Sequence, residues 1–550
     1  MAPTADGTPC DLLRMPFEIL KPILAELDQS DQLSIANTCV YLWELAYPMA
    51  YGCIVVEIGA GTPDSAWRHL AKGVGLRYVR HLEIRFKYGE DNNPNHMEHL
   101  VVCTLIAALR RHQLLSFSLT TTATATVSTK NLAVLLETQQ QLRQVSLPAV
   151  SRPINIQRTA YLPASSKLRN LRDITLRLSS GTTFDGQLST IVRKSPNLEQ
   201  LHLRFSSLGD EHPHRIMDTL AAGVSSKHDM FSLATNLTLQ GYVFRLSLSG
   251  VLISFPVLRA LAVVDCSQDD YLFRELKPKK FPRLVALMIK ADCDADASFL
   301  SGSFLTAFIR GLRCLRELVI HNGDVWFDDG SDILPHAETL ELLSIKGSGD
   351  RSAFSEVAGD QGNLLGSFTA LRHLGFFIRT IGFHRASGRV DMRNAQYTVL
   401  LGSLATLGSL QTLCLRIAAV ILPHRRSFTK SGLMNLEYGA SLEEHIGLEV
   451  LEQLYGERMQ SESNGLLEHL SVIANCKFST TEMPPELHQL ATGTSQTQKH
   501  MFLLKPKVRF RPADEVKKEM MAKYAGDDYY FLEDYIDSML EPSRSDLEDY

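Results

Sequence analysis

The residues of this chain that stand at spacings able to support chemistry are few, and each lacks the companions that chemistry needs. Asp292-x-Asp294-x-Asp296 opens as a calcium loop does, with carboxylates on alternate positions. Ala297 then replaces the turn glycine and Ser303 the closing acid, so the stretch reads as a polar loop after a strand. Ser427-x-x-Lys430 has the spelling of one hydrolase motif without the partners that would activate the hydroxyl. His212 and His214 have no further ligands nearby, and a metal needs them. No glycine-rich phosphate cradle or Gly-x-Ser-x-Gly elbow is present. The nine cysteines are scattered, with no Cys-x-x-Cys pair, which suits reduced thiols in the cytoplasm or nucleus. The expectation is a protein that binds rather than catalyses, without cofactor or metal.

What the chain offers for binding is apolar surface. From Leu12 to Tyr51, 24 of 40 residues are apolar, against 45% for the whole chain. The spacing predicts a first helix over Glu18–Leu27, with Ile19, Ile23 and Leu27 on one face and Leu20 and Leu24 on the next. A second helix opens at Ser30/Asp31, read as its N-cap, and carries Leu33, Ile35 and Ala36. A third runs through Val40, Leu42, Trp43 and Leu45 and stops before Pro48. A unit of about 40 residues cannot bury that much apolar surface alone, so a protein partner is the natural cover.

The order Met15-Pro16-x-Glu18-Ile19-Leu20, Ile23-Leu24, Leu27, Asp31-x-Leu33, Cys39, Trp43, Leu45-Ala46 resembles an F-box. In that family the segment binds the Skp-family adaptor and, through it, a cullin-RING ubiquitin ligase. The resemblance assigns adaptor contact to Met15, Pro16, Ile19, Ile23, Leu27, Leu33 and Trp43. Met15 stands where the family usually has Leu, a mild change because Met is apolar and adaptable. Pro22 falls inside the first helix, where it removes a backbone donor unless it sits in the first turn.

Behind this segment a phrase recurs: apolar, two residues, apolar, one residue, apolar. It reads Val79/Leu82/Ile84, Leu114/Phe117/Leu119, Leu142/Val145/Leu147, Leu171/Ile174/Leu176, Leu198/Leu201/Leu203 and Ala234/Leu237/Leu239. It continues as Leu258/Leu261/Val263, Leu284/Leu287/Ile289, Leu315/Leu318/Ile320, Leu340/Leu343/Ile345, Leu371/Leu374/Phe376, Leu410/Leu413/Leu415 and Leu467/Leu470/Val472. Spacings of 24 to 39 residues, with one gap of 57 before the last copy, resemble an irregular leucine-rich-repeat array. The last two apolar positions of each phrase alternate within a short strand and point to one side. Helix-period segments lie between phrases at 97–111, 130–141, 187–194, 215–222, 303–312 and 394–407. Strand, helix and strand again give parallel crossovers and an α/β solenoid with strands on the concave side and helices on the convex side. Ile54–Ile58 reads as the first strand, set directly against the helical segment. In such repeats the ninth position often holds Asn or Cys, and Cys266 and Asn475 fit it. The insertions 347–366, 421–439 and 88–95 are expected to be surface loops.

The expected organisation is a loose arm (1–11), the F-box segment (12–51), the repeats (52–478) and a tail (479–550). In the tail, 492–499 is polar, and Lys505, Lys507, Arg509 and Arg511 make a basic run read as solvated charge. The last 24 residues carry nine acids and one Arg, so the rest of the chain, at about +3 of the overall −5, offers no nucleic-acid surface. Leu532, Tyr535, Ile536, Met539 and Leu540 share a helical face that either docks back on the repeats or stays free for a partner. No run is long and apolar enough to predict a membrane span, and 1–10 holds no signal-peptide core. Together these features resemble a fungal-type F-box/leucine-rich-repeat substrate receptor, with an unknown protein substrate on the repeats. A repeat scaffold outside ubiquitination, with 12–51 as a mere cap, is the alternative.

Overall fold

The computed structural model describes residues 14–59, 64–87, 95–121, 127–147, 150–151, 168–179, 191, 195–206, 234–241, 257–266, 272–274, 276–290, 302–321, 332–346, 365–384, 389–391, 402–404, 406–421, 469–477, 500–503, 509–511 and 513–540. The chain divides into two compact units, Met1–Thr238 and Leu239–Tyr550.

The first unit opens with three helices, α1 (Phe17–Ala25), α2 (Gln29–Ala36) and α3 (Val40–Ala50). Leu20 and Leu24 of α1 pack with Ala36, Leu42 and Ala46 into one small core. Gln32 seals it, donating from Nε2 to the carbonyls of Leu24 (2.8 Å) and Leu27 (3.1 Å) at the end of α1. Three boundaries differ from the sequence reading. Asp28, not Ser30/Asp31, caps α2, because its carboxylate accepts from Asp31 N at 2.8 Å. Because α1 starts at Phe17, Pro22 lies beyond the first turn, where it leaves the Glu18 carbonyl without its usual N–H. Pro48 does not stop α3, which runs on to Ala50. A proline near a helix end costs one donor, and Tyr51 N still reaches Tyr47 O at 3.2 Å.

Two residues later the strands begin: β1 (Cys53–Gly59), β2 (His81–Lys87), β3 (Ser116–Thr121), β4 (Val127–Ser128), β5 (Gln144–Leu147), β6 (Val150–Ser151), β7 (Asp173–Ser179), β8 (Gln200–Ser206) and β9 (Asn236–Gln240). Helices α4 (Asp64–Lys72), α5 (Asn95–Ala108) and α6 (Thr129–Thr138) lie between the first of them. The main ladder β1-β2-β3-β5-β7-β8 is parallel throughout, while β4 and β6 pair separately. Phrase meets phrase in register: Leu82 faces Phe117, Phe117 faces Val145, Val145 faces Ile174 and Ile174 faces Leu201. Each turn into a strand is tied to the next by one carbonyl serving two N–H groups. Arg80 O accepts from Leu115 and Ser116, Leu115 O from Arg143 and Gln144, and Arg143 O from Arg172 and Asp173. Buried Gln113 and Gln139 secure the same turns, with Gln113 Nε2 donating to Val79 O and Gln139 Oε1 accepting from Gln113 N, both at 2.8 Å.

The second unit continues the pattern with β10 (Ala260–Val264), β11 (Ala286–Lys290), β12 (Glu317–His321), β13 (Leu342–Lys346), β14 (His373–His384), β15 (Arg389–Asp391), β16 (Thr412–Ile421) and β17 (His469–Lys477). The ladder β10-β11-β12-β13-β14-β16-β17 is parallel, and β15 pairs antiparallel with the end of β14. Helix α7 (Gly302–Gly311) precedes β12. Two antiparallel strands, β18 (His500–Leu503) and β19 (Arg509–Arg511), extend the sheet beyond β17. Arg509 and Arg511 of the basic run therefore lie on a paired strand. Helices α8 (Ala513–Lys523) and α9 (Leu532–Leu540) follow. Cys266 behaves as the ninth position demands, its thiol lying 3.5 Å from Leu239 O. Asn475 instead falls within β17, because that strand runs to Lys477.

The phrase core is closed in both units. From Val79 to Leu415, every phrase residue of the first twelve copies is at most 4% exposed. The other side of the sheet distinguishes the units, since strand side chains alternate between faces. In the first unit its alternate positions are polar: His81, Glu83 and Arg85; Ser116 and Ser118; Gln144 and Ser146; Asp173, Thr175 and Arg177; Gln200, His202 and Arg204. In the second unit they are mixed in chemistry but buried: Ala260 and Ala262, Ala286 and Met288, Val319, Leu342 and Cys414 stand beside Glu317, His321, Ser344, His373 and Thr412.

Candidate functional site

Helix α1 carries more apolar surface than its own unit covers. Leu20 and Leu24 face inward at 0% and 1% exposure, whereas Met15, Phe17, Ile19 and Ile23 stand 37%, 46%, 54% and 44% exposed. Geometry dictates the split: positions 20 and 24 share one helical stripe and 19 and 23 the adjacent one, and α3 fills only the first. Pro16 is the N-cap residue, its carbonyl accepting from Ile19 N and Leu20 N at 3.0 Å. Leu27 and Trp43 are half-buried against the small core, and Leu33 is half-buried on α2. Of the seven residues singled out from sequence, Ile19 and Ile23 are exposed on α1, and Met15 and Pro16 are exposed just ahead of its first residue. Leu27 and Trp43 serve the core as well. Sequence reasoning passed over Phe17, Val40 and Tyr41, the last two 75% and 40% exposed at the start of α3. Their signal was their place just outside the matched positions, on helix ends rather than on an apolar period.

Rings join this helical unit to the strands behind it. Trp43 stacks on Tyr47 at 5.0 Å, Tyr47 meets Tyr51 at 4.7 Å, and the edge of Tyr78 meets Tyr47 at 5.9 Å. Gly75 lies under Tyr51 so closely that a Cβ there would sit 2.3 Å from the ring. Gly52 O accepts from both Arg80 N and His81 N, at 2.8 and 2.9 Å. The exposed stripe of α1 is therefore carried on a braced joint.

The polar strand face of the first unit is laced with short contacts. Arg85 holds Glu83 through Nε at 2.8 Å and lies 3.6 Å from Glu57. His81 Nδ1 is 2.8 Å from Ser116 Oγ. Burial pushes the Asp173 carboxyl up to about 6 and lowers the His202 imidazole, whose Nε2 lies 4.0 Å from Asp173 Oδ1. Arg177 is lowered by burial and by Arg204, its register partner on β8. These groups form a hydrogen-bonding surface.

On the second unit the same face is covered by the chain's own C-terminal segment. Val516, Met520, Tyr524, Phe531, Leu532, Tyr535 and Ile536 pack on Ala260, Ala262, Ala286, Met288, Val319, Leu342 and Cys414 as one buried cluster. Of the two alternatives for the acidic tail, this is docking. Met539 and Leu540, placed on the same face from sequence, have side chains outside the description. Glu317, 1% exposed, accepts from Tyr530 N at 2.9 Å and Phe531 N at 2.7 Å. Burial drives its carboxyl up to about 7 against those hydrogen bonds. The hydroxyl of Tyr535, a residue with 0% exposure, donates to Leu374 O at 3.1 Å and lies 3.0 Å from Thr412 Oγ1. His373 sits edge-on to Tyr524 (4.9 Å) and Tyr529 (5.1 Å). Tyr529 OH donates at 3.1 Å to Glu341, which also takes Arg316 at 2.9 Å. The signal for this cover was in the sequence: alternate strand positions that are polar in the first half of the repeats turn apolar at β10 and β11 (Ala260, Ala262, Ala286, Met288), while β12 to β16 mix Val319, Leu342 and Cys414 with Glu317, His373 and Thr412.

Asp292, Asp294, Asp296, His212, His214, Ser427 and Lys430 lie outside the described residues, as do the 492–499 stretch and most of the three insertions. Among the described residues, no helix is long and apolar enough to cross a membrane, and no cluster of three or more His, Cys, Asp or Glu side chains is set to hold a metal. The chain matches no protein-family model and no curated protein.

Proposed function

We propose that this protein is the substrate-recognition subunit of an SCF-type ubiquitin ligase, an F-box protein with leucine-rich repeats. Its three N-terminal helices hold a Skp-family adaptor, and its repeats hold a protein substrate. The chain supplies recognition and position, and ubiquitin transfer belongs to the partner subunits.

The observation that carries this reading is the bare stripe of α1. Met15, Phe17, Ile19 and Ile23 coincide with, or flank, the positions the F-box resemblance assigns to adaptor contact. Isolated exposed apolar residues are ordinary on any surface. Three on one short helix with Met15 just ahead of it, next to an inner stripe already filled, are a patch awaiting cover. The braced joint through Tyr47, Tyr51 and Gly75 fits a subunit that must hold substrate at a fixed distance from the adaptor.

The test is co-expression of the full chain with a Skp-family adaptor. Wild type should co-purify with it as a one-to-one complex. Ile19→Glu with Ile23→Glu should abolish the complex while leaving the melting temperature within about 2 °C, because neither side chain is in the core. A wild-type chain that is folded yet never retains the adaptor would refute the reading and leave a repeat scaffold.

A further inference from the structure

We propose that the strand face of the second unit is a peptide-binding surface, and that Ala513–Leu540 is its tethered internal ligand. The external ligand it takes is an amphipathic peptide with the tail's own pattern: an aromatic cluster leading into a short helix, Tyr-Tyr-Phe-Leu-x-x-Tyr-Ile.

Three observations carry this. The repeat core does not need the tail. Leu261, Leu287, Leu318, Leu343, Leu374 and Leu413 are at most 2% exposed, and they point to the side of the sheet opposite the tail. The contacts that hold the tail are also of the kind by which a surface reads a peptide. Glu317 takes two consecutive backbone N–H groups, 2.9 and 2.7 Å away, whatever side chains those residues bear. Gly375 leaves a socket for one specific ring, since a Cβ there would stand 3.1 Å from Tyr535 Cε2. Leu374 O and Thr412 Oγ1 then meet the phenol oxygen at the bottom. A face shaped only for stability would be better served by apolar residues than by a buried carboxylate and a buried imidazole. Finally, the tail is braced within itself. Lys517 of α8 bonds Asp537 of α9 and lies 3.6 Å from Glu533, which ties the two helices to each other as well as to the strands.

An internal ligand spends no translational freedom on docking, so it excludes a weak competitor and yields to a tight or locally concentrated one. In the isolated chain the face is therefore closed.

The experiment uses the full chain and a fluorescent synthetic peptide spanning residues 513–540. Wild type should show no saturable binding. The full chain with Tyr535→Ala and Ile536→Asp in its own tail should bind the peptide. Adding Gly375→Val to that chain should weaken binding at least tenfold. On wild type, hydrogen exchange should release the amides of 530–536 in an opening that leaves those of β12 protected. The proposal fails if the tail variant stays folded but does not bind, if wild type binds equally well, or if the variant loses its cooperative melt. It also fails if tail and strand amides exchange only together. No arm of the experiment involves α1–α3, so its failure would leave the adaptor reading standing.

Discussion

Glu317 is a carboxylate placed where it is costly, and its titration is measurable. Burial raises it from the ordinary carboxylate range to about 7, so between those values the folded chain holds a proton that the unfolded chain has released. Stability from this group is fully present below the unfolded pKa and falls as pH rises to about 7, by roughly 3 kcal/mol. Glu341, lying beside it, works the other way: burial alone would raise it, but Arg316 holds it lowered. The Glu317 contribution is therefore read as a difference. Denaturant melts of Glu317→Gln and wild type across pH 4.5 to 8 should show the variant with the flatter profile and the higher relative stability at the alkaline end. A parallel profile would mean that this carboxyl does not titrate in that window. Gly75 is the other residue whose type is dictated by contact. With a Cβ 2.3 Å from the Tyr51 ring, Gly75→Ala must push α3 off the first strands, at a cost of about 1–3 kcal/mol by thermal melt.

At the scale of elements, α1 separates two kinds of apolar residue that composition alone cannot tell apart. Leu24, 1% exposed, holds the helix to α3, and Leu24→Ala should cost about 2–5 kcal/mol. Ile23→Ala, one position away and 44% exposed, should cost well under 1 kcal/mol while removing adaptor affinity. A pair of melts and a pair of co-purifications decide this, and equal destabilisation would put Ile23 in the core. The sequence made the helices legible through their periods, but not which of the two stripes would be buried. That depends on how much partner surface α3 presents, and no local pattern encodes it. The same limit moved the boundaries. Asp28 outcompetes Ser30 as cap because its carboxylate reaches Asp31 N, and Pro48 is tolerated because little helix remains after it. These are tertiary and end-geometry effects.

At the scale of the molecule, the most legible feature was the repeat phrase, because each coil imposes the same demand: three apolar residues that only a neighbouring coil can bury. The phrase residues accordingly align strand to strand, Leu287 to Leu318 and Leu318 to Leu343, with none of the three above 0% exposed. Less legible was the chemistry of the opposite face. Ala260, Ala262, Ala286 and Met288 alternate with the phrase and announce a cover, but a reading tuned to the phrase passes over the positions between. The identity of the cover rested on matching a distant apolar helix face to them, which sequence spacing cannot do. A stack with only nearest-neighbour contacts also predicts how damage spreads. Leu318→Ala should cost about 2–5 kcal/mol. Its first effect, read by hydrogen exchange, should be faster opening of β11, β12 and β13, with β16 two strands beyond β13 in the ladder still protected. The tail should loosen with them, because Glu317 and Val319 lie on the same strand as Leu318 and pack with the C-terminal segment. Uniform loss of protection across the second unit would show instead that tail and strands melt as one cooperative block, with the face never open by itself.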